Sequence, residues 1–153
     1  MGFARAVAHT GITVRDIDQS VDFWCSALGA QIERRFQLGG VFAAEVTGVP
    51  QARIDVAVVN LAGHRLELLQ YQAPGDRSEL RPRPCDIGSW HLAVEVDDVD
   101  AVSAVCASYG WAVAGSAQSL TEGPRRGTRF VYLHDADGAT LELIGAPPGR
   151  PPT

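Results

Sequence analysis

Apolar and polar positions alternate along this chain with the period of a β-strand, and they do so twice in the same order. Ala8, Ile12 and Val14 fall on one face of an extended segment, leaving His9, Gly11 and Thr13 on the other. Further on, Leu92, Val94 and Val96 share a face while His91 and Ala93 point away. Leu66 and Leu68 flank Glu67, and Leu141 and Leu143 flank Glu142 in the same manner. The run from His9 to Asp18, HTGITVRDID, returns 82 residues later as HLAVEVDDVD from His91 to Asp100. Likewise GHRLELL from Gly63 to Leu69 returns after 75 residues as GATLELI from Gly138 to Ile144. Two elements repeated in order at nearly the same shift indicate a tandem duplication.

The remaining elements follow from periodicity and punctuation. Asp16 or Asp18 is placed to cap a helix running to about Leu28, with Val21, Trp24, Cys25 and Leu28 as its apolar stripe. Gly29 stops it, and residues 30–38 read as a strand. Gly39-Gly40 then breaks the pattern, and residues 41–47 form a short helix closed by Gly48. This helix has no counterpart in the second half, so it is an insertion, acting as a lid or as a packed connector. Strands at 53–61 and 65–71 flank a turn at Ala62-Gly63. Residues 72–88, rich in Pro, Arg, Gly and Asp, form an inter-module linker whose arginines Arg77, Arg81 and Arg83 could meet an anionic substrate but face solvent by default. The second half repeats the plan, with a strand at 89–96, a helix at 98–109 and strands near 111–115, 128–134 and 139–145. The reading is one domain over 1–153: module one at 6–71, module two at 89–146, and a loose Pro-rich tail at 147–153.

Composition narrows the class. The 153 residues are 46% hydrophobic and 20% charged, enough for one ordinary globular core. No apolar run approaches the ~18–20 residues that span a bilayer, and Met1 to Ala8 lacks the apolar core of a signal peptide. The formal charge of −5, with no strong basic cluster, excludes nucleic acid as the expected partner. Cys25, Cys85 and Cys106 are odd in number and far apart, the usage of free thiols in a cytoplasmic protein.

The candidate chemistry lies on the polar faces. His9, Glu67, His91 and Glu142 occupy corresponding positions of the two halves, and facing sheets would bring two imidazoles and two carboxylates together. That donor set suits one divalent Ni, Co, Mn, Fe or Zn ion, and no thiolate competes. At the shift of 75, Asp55 corresponds to Phe130 and Ala57 to Tyr132. If Ile54, Val56 and Val58 face the helix, these four face the site. Phe130 and Tyr132 then make an apolar wall with one hydroxyl, and Thr13 and Ala57 complete a substrate lining. Asp55, and Glu45 on the insertion, are candidate bases beside the two glutamates. His64 and His134 adjoin turns and are expected on the surface.

These segments, with HLAVEVDDVDA and VYLHDADGATLELI, resemble the vicinal oxygen chelate superfamily. That superfamily includes glyoxalase I, methylmalonyl-CoA epimerase, extradiol dioxygenases and the bleomycin- and fosfomycin-resistance proteins. The resemblance covers about residues 6–146. It implies an α+β fold of two βαβββ modules closed into a cup around a metal held by His9, Glu67, His91 and Glu142. Glyoxalases and epimerases match best because the fourth ligand position is filled, by Glu67. The implied activity is isomerase, epimerase or lyase chemistry on a small carbonyl or thioester substrate. The metal stabilises an enolate and a carboxylate, Glu142 or Glu67 among them, moves the adjacent proton. A homodimer is implied too. Two alternatives stand beside it: an Fe(II) extradiol-type dioxygenase, and a metal-free protein that sequesters an antibiotic.

Overall fold

A computed structural model of the chain describes residues 2–146; the tail at 147–153 lies outside the described residues. The architecture is mixed α and β, with two separate sheets, and the chain falls into two compact units, 1–78 and 79–153. In the first unit the elements are β1 (Thr10–Thr13), α1 (Ile17–Asp22), β2 (Gln31–Leu38), α2 (Gly40–Thr47), β3 (Arg53–Leu61) and β4 (His64–Ala73). The second holds β5 (Leu92–Val96), α3 (Val99–Ser108), β6 (Ala112–Val113), β7 (Gln118–Ser119), β8 (Arg129–His134) and β9 (Thr140–Gly145). The sheets run β1-β4-β3-β2 and β5-β9-β8-β6, with β7 also paired to β8. In each, the first strand lies parallel to the last and the other pairings are antiparallel. This is the expected βαβββ plan, twice. Among the described residues no helix is long and apolar enough to cross a membrane.

Asp16, and not Asp18, caps the first helix: its carboxylate accepts from the backbone N–H groups of Asp18 and Gln19. Past Asp22 the helix widens into a π-turn over Phe23–Ala27 before Gly29, at φ +74°, ends it. The wider turn shifts the helical phase, so Phe23 and Trp24 are the residues driven into the core, packed edge-on with ring centroids 5.1 Å apart. Val21, Cys25 and Leu28, expected in the stripe, are only half-buried. Beneath this helix lie Ile12, Ala57, Val59, Leu66 and Leu68, all buried. The insertion is a packed connector. Ala43 of α2 is buried against Ile54, Val56 and Val58, with Leu69 and Tyr71 alongside. Gly48, at φ +68°, closes α2 by donating to the Ala44 carbonyl.

In the second unit Asp98 caps α3, which buries Val99 and Cys106 over a face containing Val131, Leu133, Leu141 and Leu143. Burial pushes the Cys106 thiol up to about 11 and also raises Cys25, which favours the protonated thiol in both. The strand expected near 111–115 shrinks to two residues, and β7 was not anticipated.

The hairpin turns differ in length. Ala62 and Gly63, both at positive φ, make a two-residue turn between β3 and β4. Five residues, 135–139, join β8 to β9. There the Asp135 carboxylate accepts from the N–H groups of Asp137 (3.0 Å) and Ala139 (2.8 Å). Burial nevertheless raises the Asp135 carboxyl above its usual range, and Asp137 adds to the rise. A raised carboxyl favours folding while protonated; that contribution is full below the unfolded value and is lost as pH rises through the folded one. Asp135→Asn keeps the acceptor without the charge. It should raise the thermal midpoint near neutral pH and leave it unchanged below the carboxylate range, which melts at the two pH values will show.

Candidate metal centre

In the first unit, β1 beside β4 sets Gly11 opposite Glu67, and His9, two residues earlier, projects to the same side. His9 Nε2 stands 3.3 Å from Glu67 Oε2. The second unit repeats this: Ala93 lies opposite Glu142, and His91 Nε2 stands 3.3 Å from Glu142 Oε2. Both histidines lie one residue ahead of their strands, not within them. The imidazoles are therefore 43% and 40% exposed, whereas the strand-borne carboxylates are 18% and 16% exposed. Each pair thus presents a nitrogen and an oxygen with an open side. Adjacent donors around an ion with ~2.1 Å bonds stand about 3.0–3.4 Å apart, so the spacing and the donor chemistry both fit a divalent cation. Among the described residues no third His, Cys, Asp or Glu of the same unit joins either pair.

The pairing register corrects several expectations. Glu67 lies opposite Val58, and Glu142 lies opposite Tyr132. Val58 and Tyr132 are thus the true counterparts, one residue off the shift of 75, because the second hairpin has the longer loop. A slip of one residue reverses every side chain. Ala57 faces the α1 side, fully buried against Leu68, and is not a substrate contact. Asp55 shares that side, its carboxylate accepting from Gln37 (2.6 Å) and Gln72 (2.7 Å), away from Glu67 and not placed as its base. Conversely Ile54, Val56 and Val58, expected under the helix, lie on the Glu67 side beneath α2. Glu45 is exposed two positions from Ala43, on the face of α2 turned away from the sheet, so it is not beside the pair either. Thr13, opposite Leu69, is exposed on the Glu67 side.

Phe130 and Tyr132 do share the Glu142 side. The Tyr132 ring centroid lies 4.9 Å from that of His91. Burial, and next the charge of Glu142, raise the Tyr132 phenol, which stays protonated at neutral pH. His64 and His134 are half-buried and bonded to the hydroxyls of Thr10 (2.9 Å) and Thr140 (3.0 Å), not free on the surface. Sequence reading missed Arg125, whose guanidinium carbon lies 5.1 Å from the Phe130 ring centroid. The signal available for the register was the DADG turn, which is visibly longer than Ala62-Gly63.

A family profile described as the Glyoxalase/Bleomycin resistance protein/Dioxygenase superfamily matches residues 8–132. The chain belongs to that superfamily. A superfamily relative, 2-epi-5-epi-valiolone epimerase from Actinomyces sp., is 37% identical over 97% of this chain and 83% of its own. Among solved structures, a glyoxalase family protein from Bacillus cereus superposes with a TM-score of 0.81 at 20% identity, covering 96% of this chain and 99% of that one. A fosfomycin resistance protein from Listeria monocytogenes, complexed with Mn(II) and 1S,2S-dihydroxypropylphosphonic acid, has a TM-score of 0.63 at 14% identity. It covers 94% of this chain and 92% of its own. These two likenesses are likenesses of superfamily fold.

Proposed function

We propose that this chain is a divalent-metal-dependent epimerase of small hydroxyketones, the class to which 2-epi-5-epi-valiolone belongs. The observation that carries the reading is the His–Glu pair repeated at 3.3 Å in both units, supported by the 37% identity to an epimerase. His9 and His91 would lend nitrogen donors, and Glu67 and Glu142 oxygen donors, to one ion. Bound there, a divalent ion supplies Lewis acidity at a carbonyl oxygen and so acidifies the neighbouring carbon. The protein's own groups do the rest. A carboxylate oxygen of Glu142 or Glu67 takes the proton from that carbon, and its return to the other side of the carbon inverts the centre. The protonated Tyr132 phenol, across the strand pair from Glu142, donates a hydrogen bond to a substrate oxygen.

Proton NMR in deuterium oxide tests the proposal, with 2-epi-5-epi-valiolone and simple hydroxyketones as substrates. The hydrogen beside the carbonyl should wash out, exchange should stop on chelation, and Glu142→Gln should lower its rate by about 10²-fold or more. Oxygen uptake with a catechol and Fe(II), without exchange into any ketone, would replace this reading with the dioxygenase.

A further inference from the structure

The segments that precede β3 in the first unit and β8 in the second cover the same stretch of their sheets, and the duplication makes the two coverings comparable. Val56 and Phe130 are counterparts: each lies two residues before the residue opposite the glutamate, Val58 or Tyr132, on the glutamate's side. In the first unit the preceding segment folds as α2 and seals Val56 with the buried methyl of Ala43. In the second, the segment from Leu120 to Thr128 forms no helix and lays the guanidinium of Arg125 over Phe130.

That loop holds its shape. Leu120 N–H donates to the Thr128 carbonyl, Gly127 N–H to Leu120, Arg126 N–H to Gly123 and Thr128 N–H to Arg125, all within 3.1 Å. Arg125 is exposed, and among the described residues its guanidinium has neither an ion pair nor a hydrogen bond. Its neighbour Arg129 is by contrast engaged with Asp100 at 2.9 Å. A guanidinium held over a ring by cation–π attraction spends none of its N–H groups on hydrogen bonds there, and those groups suit the paired oxygens of a phosphate or carboxylate. Alternate residues on one strand face stand about 7 Å apart. Phe130, which carries the cation, therefore stands about 7 Å along the strand from Tyr132, whose partner across the ladder is Glu142.

We infer that Arg125, held on Phe130, is an anion-recognising residue of the substrate site, so that the substrate is a hydroxyketone bearing a phosphate or carboxylate. The inference rests on the epimerase reading for the location of the reacting carbon. It does not depend on which carboxylate moves the proton.

Calorimetric titration of the purified full chain with three probes tests it: dihydroxyacetone phosphate, hydroxypyruvate and neutral dihydroxyacetone. The wild type should bind at least one anionic probe about ten- to a hundredfold more tightly than the neutral one, the scale of a charge-assisted contact. Arg125→Gln should reduce that preference to within about twofold, Arg125→Lys should restore part of it, and Arg126→Gln should leave it intact. Preference for the phosphate or for the carboxylate probe identifies the group. The inference is overturned if the wild type shows no preference, failure of both anionic probes to bind included. It is equally overturned if Arg125→Gln retains the preference or Arg126→Gln removes as much. Deuterium exchange of dihydroxyacetone by the unaltered protein tests the parent reading separately. Exchange without an anion preference removes Arg125 alone; an Arg125-dependent preference without exchange removes the proton-transfer reading alone.

Discussion

Replacing His9 or His91 by alanine should weaken divalent-metal binding by more than the roughly 10- to 100-fold that loss of a supporting partner costs, and by similar factors in the two variants. The equality is the informative part. Each imidazole nitrogen lies 3.3 Å from its glutamate oxygen, with nearly equal exposure on the two sides. Among the described residues no third donor of the same unit stands ready to replace either and cushion the loss. Isothermal titration with Ni, Co, Mn, Fe and Zn, and elemental analysis of protein prepared without chelator, measure the effect directly. About one ion per chain is expected, with the His9→Ala, His91→Ala double variant binding none. Tyr132→Phe is the matching control: it keeps the ring against His91 and should leave metal affinity within a few-fold. If both single variants bind as the wild type does, the pairs are ordinary sheet-face contacts and the proposed function loses its support.

Gly138→Ala should cost about 2–4 kcal/mol of folding stability, combining left-handed backbone strain with overpacking. Gly138 sits at φ +91°, where an L side chain is strained whatever the space. A Cβ there would also run into the Leu80 carbonyl oxygen and stand 3.3 Å from the Arg81 Cα. Both obstacles are backbone, so no side-chain rotation relieves them. The alternative, displacing residues 80–81 from the 135–139 loop, gives up packing instead. Urea unfolding followed by circular dichroism measures the cost. Gly115→Ala, with open space around its Cα and no positive φ, should stay within about 0.5 kcal/mol of wild type. Equal stability of the two variants would show that the linker at Leu80 does not bear on the loop.

The difference between the two hairpins also explains which candidate site residues were legible. His9, Glu67, His91 and Glu142 stood out because each is a polar residue embedded in aliphatic alternation and each occurs twice. Local pattern alone fixes their faces within their own strands. Asp55 and Ala57 were misplaced because their face depends on how β3 pairs with β4. Tyr132 lies 10 residues before Glu142 but Val58 only 9 before Glu67, and that one residue of difference is enough to invert it. The π-turn at Phe23 was equally invisible, since a 3.6-residue period assigns the stripe to Val21, Trp24, Cys25 and Leu28.

By itself, then, the sequence determined the duplication, the βαβββ order of each half and the four polar positions that alternation isolates. All of these follow from short-range periodicity and punctuation, which the chain carries residue by residue. Only the tertiary structure decided that each histidine meets its glutamate at 3.3 Å. It also decided that Val58 and Tyr132 stand opposite the two glutamates, and that Ala43 seals one sheet where Arg125 lies on the other. Those facts join residues 58, 51, 9, 10, 13 and 5 positions apart in sequence. Contacts over such separations are set by strand register and loop length, quantities that no local pattern of apolar and polar residues encodes.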